Sequence, residues 1–75
     1  MHDDHLIRMA NQIGDFFESM PDQAEARKGI ATHLKKYWDP RMRKAFLAQV
    51  DGGAHNNDIN AIVLAAASEH RALIG

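Results

Sequence analysis

His33-Leu34-Lys35-Lys36-Tyr37-Trp38-Asp39-Pro40-Arg41-Met42-Arg43-Lys44 is the stretch on which the reading of this chain turns. Up to Tyr37 it continues a helical pattern. Asp39-Pro40 then ends that helix and starts another. Asp39 suits the N-cap, where its carboxylate accepts free backbone N–H groups. Pro40 suits the first helical position, where its missing N–H costs no hydrogen bond. The break is so tight that the two helices are expected to meet at an angle rather than fold back. The same stretch holds the only Trp, the only Tyr, one of two prolines and five of the nine basic residues. Aromatic and Arg side chains dominate binding surfaces, so this corner is also a candidate docking surface.

Working upstream, the spacing predicts a helix over 21–38, with Ala24, Ile30, Ala31, Leu34, Tyr37 and Trp38 on its inner face. Pro21 is expected to stop the preceding helix and to open this one, because Met20, before the proline, is disfavoured in α geometry. A first helix is predicted over 4–20, started by Asp3 or Asp4 at the positive end of the helix dipole. Leu6, Met9, Ala10, Ile13, Phe16, Phe17 and Met20 give it the stripe of an amphipathic helix. Gly14 and Gly29 each cost a helix about 1 kcal/mol relative to Ala and imply close approach by a neighbouring backbone. Downstream, a helix over 40–50 buries Met42, Ala45, Phe46 and Val50 and ends at Gly52-Gly53. A last helix over 58–73, capped by Asn57 or Asp58, presents Ile59, Ile62, Val63, Ala66 and Leu73. Nothing alternates at period two, so no strand is expected. The expected fold is all-α: a small bundle of about four helices with short connections, in a single domain spanning 1–75.

A chain of 75 residues buries only roughly 60% of its unfolded surface and needs a staple. It contains no Cys, which excludes disulfides and thiolate metal sites. A partner protein is the staple that remains. No apolar run approaches the ~20 residues of a membrane span, and the polar, acidic start is unlike a signal peptide; a cytoplasmic location is expected. Charge is uneven. Up to residue 26, Arg8 stands against six acids. Residues 27–44 hold seven bases against Asp39 alone. One reading is a solvated acidic first helix beside a basic second one. The other is that the basic segment 27–44, with Trp38, is a stand-alone adaptor surface for nucleic acid or another anionic partner.

Reactive constellations are scarce. His2 and His5 with Asp3 and Asp4 offer metal-ligand types at what reads as a frayed terminus. His33 lacks a nucleophile or pocket to serve as a base, and His70 suits a helix C-terminus. Ser19, Thr32 and Ser68 sit in no nucleophile motif, and no phosphate loop is present. Catalytic, cofactor-binding and metal residues are therefore expected to be none. Asn11 and Gln12 border the core stripe, placed to make side-chain hydrogen bonds or to meet a partner's backbone.

Three blocks carry a resemblance: 8–17 (Arg-Met-Ala-Asn-Gln-Ile-Gly-Asp-Phe-Phe), 30–34 (Ile-Ala-Thr-His-Leu) and 38–43 (Trp-Asp-Pro-Arg-Met-Arg). In order and spacing they resemble the small delta subunit of soluble NAD-dependent formate dehydrogenases, over roughly residues 6–47. The resemblance implies a non-catalytic accessory subunit of an enzyme that oxidises formate to carbon dioxide and passes electrons to NAD. It would dock on the large catalytic subunit and support assembly or stability of the complex. The molybdenum (or tungsten) pterin, iron–sulfur clusters and flavin would belong to the larger subunits, with no cofactor on this chain. Trp38, Pro40, Arg41, Met42 and Arg43 are the expected interface, with His33, Phe16 and Phe17 behind it. A homodimer in isolation is a further possibility for a helical bundle.

Overall fold

The computed structural model describes residues 2–53 and 56–75. Five helices account for most of it: α1 (His2–Glu18), α2 (Gln23–Tyr37), α3 (Pro40–Gly52), α4 (Ala61–Glu69) and a short α5 (Arg71–Ile74), with a 3₁₀ turn at Asn56–Asp58. No strand occurs among the described residues. The all-α class and the short connections are as expected; the helix ends differ in instructive ways.

α1 is helical from His2, so Asp3 and Asp4 lie within its first turn rather than before it. Their side chains and that of His2 lie outside the described residues; of the candidate metal set only His5 is described, and it is exposed. The helix stops at Glu18, short of Met20, in a tight turn with Met20 N–H donating to Phe17 O at 3.0 Å. Its last carbonyls are taken by Gln23, whose Nε2 donates to Met20 O at 3.0 Å and Glu18 O at 3.2 Å. Pro21 does not open α2. Asp22 does, its Oδ1 accepting from Ala24 N at 3.0 Å and Glu25 N at 3.2 Å. A carboxylate satisfying two orphan N–H groups outcompetes a start two residues earlier with Met20 at the cap.

The Asp39-Pro40 corner forms as read. Trp38 and Asp39 are both extended, and Asp39 Oδ1 accepts from Met42 N at 2.9 Å. With two extended residues between them, α3 leaves α2 and packs instead on α1 and α4. Gly53 ends α3 in the left-handed conformation (φ 76°), its N–H donating to Gln49 O at 3.2 Å.

The last expected helix is two helices with a later start. The segment before α4 is pinned by α1: Asn11 Nδ2 donates to Asp58 O at 2.8 Å, and Asn60 N–H donates to Asn11 Oδ1 at 2.9 Å. Held this way, Asn60 is extended (ψ 142°) and the helix begins only at Ala61. Neither Asn57 nor Asp58 is its cap. At His70 the chain bends, and α5 carries Ile74 into full burial.

One cluster forms the core: Ile7, Ala10, Ala26, Ile30, Ala31, Leu34, Trp38, Phe46, Leu47, Ile59, Ile62, Val63, Ala66, Ala67 and Ile74. Four expected inner positions are placed otherwise. Ala24 and Tyr37 are exposed, as are Phe16 and Leu73. Ala26, four residues before Ile30, continues the buried stripe of α2, whereas Ala24 lies exposed in its first turn. The internal glycines do mark close packing, but against side chains rather than backbone. A Cβ at Gly14 would fall 2.5 Å from Val63 Cγ2, and one at Gly29 2.5 Å from Phe17 Cε1. The acidic α1 and basic α2 pack together without an ion pair between them among the described residues. Arg27 of α2 pairs with Glu69 of α4 (2.8 Å), and Arg71 of α5 with Asp51 of α3.

Candidate docking groove

α1 has more apolar surface than the core uses. At 100° per residue, Ile7, Gly14, Ala10, Phe17, Leu6, Ile13, Met9 and Phe16 cover a continuous arc of about 180°. Ile7, Ala10 and Gly14 occupy the core end of that arc and are buried. Met9, Ile13 and Phe17 are half-buried, and Phe16, at the far end, is 74% exposed.

The surplus lines an open groove of about 450 Å³ formed by Met9, Gln12, Ile13, Phe16 and Phe17 of α1 with His33 and Trp38. Met9 and Ile13 stand near Trp38, and Phe17 lies over Gly29, so α1 and α2 run antiparallel beneath it. Gly29 is what lets Phe17 lie flat enough on α2 to form the wall. Phe16 meets the Phe17 ring edge-on, with centroids 5.2 Å apart. Trp38 is only 6% exposed, packed edge-on against Phe46 at 5.8 Å. It belongs to the core and shows one edge to the groove. His33 stacks against Tyr37, centroids 4.7 Å apart, and Tyr37 is 69% exposed.

The structure thus divides the eight candidate residues. Phe16, Phe17, His33 and Trp38 come together in the groove, with Phe16 outermost and Trp38 innermost. Pro40 and Arg41 are exposed at a separate depression with Asp39 and Lys44. Met42 packs against the core. Arg43 turns inward: its Nη1 donates to Ile74 O at 3.2 Å, and its Nε is buried without a partner. Met9, Ile13 and Tyr37 are groove or rim residues that the inward-stripe reading consigned to the core. For Met9 and Ile13 the signal is the width of the α1 arc; Tyr37, on α2, has no such signal.

On the α2 side of the groove the charge is net positive, two lysines against one glutamate. The groove lining itself contains no carboxylate. A neighbouring depression shares Phe17 and His33 with it and adds Lys28, Lys36 and Glu25. Lys28 and Lys36 are exposed and have no ion pair among the described residues, whereas Arg27, Arg43 and Arg71 are engaged within the fold. Asn11 and Gln12 part company here. Asn11 is consumed by the α4 clamp, while Gln12 is exposed at the groove. No group of three or more His, Cys, Asp or Glu side chains able to hold a metal occurs among the described residues. No helix among them is long and apolar enough to cross a membrane.

Fold and groove together define a small all-helical module with an unfilled apolar face. Residues 5–67 match the model of the NADH-dependent formate dehydrogenase delta subunit family, FdsD. With most of its length matched, the chain belongs to that family and is a formate dehydrogenase delta subunit. No curated protein and no solved structure matches it.

Proposed function

We propose that this delta subunit is a non-catalytic accessory chain that docks on the large catalytic subunit of a cytoplasmic, molybdenum-containing formate dehydrogenase and supports its assembly or stability. The observation that carries the reading is the groove. Phe16, Phe17, Met9 and Ile13 form a contiguous apolar face on a domain too small to leave one unused without cost in solubility. The pterin, iron–sulfur clusters and flavin of such an enzyme belong on its larger subunits. The donor set of this chain does not suit a cluster, since it has no cysteine and thiolates are the usual ligands.

The test is co-expression of the large subunit with and without this chain. With it, the two are expected to co-purify, and the large subunit is expected in higher yield with fuller molybdenum content. Equal yield and equal metal content in its absence would sink the accessory role. Formate oxidation by the purified small chain alone would sink the non-catalytic one.

A further inference from the structure

Within that docking reading, on which this inference rests, we propose that the groove receives an amphipathic α-helix of the large subunit, with Asp or Glu on the flank that faces α2. Geometry sets the shape of the occupant. Met9, Ile13 and Phe16 are spaced i, i+4, i+7, so the apolar strip runs along α1 for about 10 Å. A helix offers anchors at the same pitch, the usual mode of recognition by a trough between two helices. Electrostatics sets its charge. The strip is free of carboxylates, and the depression beside it on the α2 side carries Lys28 and Lys36 against Glu25 alone, a net positive charge. An acidic flank there gains attraction and faster encounter, and a basic one is repelled. A second copy of this chain fits less well. The acids nearest its own Phe16 in sequence, Asp15 and Glu18, lie one before and two after it and so off its face of the helix, and Asp15 is already bonded to Asn60 Nδ2 at 2.9 Å.

Trp38 supplies the readout, being the sole tryptophan and a groove residue. The full chain is titrated with overlapping synthetic peptides tiling the large subunit, and Trp38 emission is followed. A peptide with helically spaced apolar residues and an acidic flank is expected to shift the emission and to gain helical circular dichroism. Phe16→Ala is expected to weaken it at least about ten-fold, as for a central aromatic anchor. The double change Lys28→Glu with Lys36→Glu is expected to weaken it about ten-fold at low salt and to flatten its salt dependence. Arg41→Glu, at the separate corner site, is expected to leave it unchanged.

The assignment is overturned by binding that Arg41→Glu abolishes and Phe16→Ala does not. It is also overturned by a dimer of the isolated chain that Phe16→Ala splits, or by emission that answers a single-stranded DNA oligonucleotide and no peptide. Co-purification separates the two levels. If the wild-type chain co-purifies with the large subunit, and Phe16→Ala and the double lysine variant do so equally well, the groove assignment fails and the subunit reading stands. If the wild-type chain does not co-purify, the subunit reading itself fails.

Discussion

At Gly14 two effects of opposite sign meet. Alanine there would gain about 1 kcal/mol of helix propensity. Its Cβ would also fall 2.5 Å from Val63 Cγ2, between two buried segments, and overpacking of that kind costs about 1–3 kcal/mol. Gly14→Ala is therefore expected to lower stability in chemical denaturation, and a stabilised variant would show that α4 can move aside freely. Trp38 poses a similar contest between roles. It is an attractive interface residue by type, but it is 6% exposed against Phe46. Trp38→Ala should cost about 3–5 kcal/mol, a large share of the stability of a domain this size. Loss of helical circular dichroism at ambient temperature is expected. A folded variant that merely loses its partner would assign Trp38 to the interface alone. Phe16, exposed and outermost, is the better probe of binding without unfolding.

The elements that could be read ahead of the structure were those specified locally. Asp39 and Pro40 are adjacent, and together they satisfy the start of α3 without help from the rest of the chain. Gly53 closes the same helix through its own φ. Periodicity also shows the apolar side of α1, but a wide arc does not say which edge meets the core: Ile7 lies at the buried edge and Phe16 at the exposed one. The start of α4 was illegible for a different reason. It depends on Asn11, which reaches Asp58 and Asn60 across 47 and 49 positions of sequence. Asn11→Asp tests that dependence. A carboxylate can still accept from Asn60 N–H but offers no donor to Asp58 O, and its charge faces that carbonyl. A loss of about 0.5–1.5 kcal/mol is expected, the net worth of a hydrogen bond at an exposed site where water can replace the donor. An unchanged denaturation midpoint would mean that the clamp contributes nothing.

Across the whole molecule, the bridge between α2 and α4 gives stability a pH dependence of known sign. The hydrogen bond from Arg27 Nε holds Glu69 below the ordinary glutamate range, and the guanidinium is correspondingly raised. A depressed folded-state pKa means the contribution is complete above the unfolded glutamate value, about 4.3. It fades as pH falls through the lower folded value. Glu69 is half-exposed, so the effect is small and weakened by salt. Thermal melts from pH 7 to pH 3 should show wild type losing more stability than Glu69→Gln over the acid limb. Parallel curves would remove the pair from the pH response. Charge placement at this scale was only partly visible beforehand. The acid-rich start and basic middle are adjacent in space, yet among the described residues the Arg–carboxylate pairs join α2 to α4 and α3 to α5.

The link from Asn60 N–H to Asn11 Oδ1 also fixes an order of events. The amide of Asn60 is shielded by a side chain from the opposite end of the chain, so its deuterium uptake times the seating of α1 rather than any local fraying. In a refolding pulse that one amide should gain protection late, after the interiors of α2 and α3, as slow closure over a long separation requires.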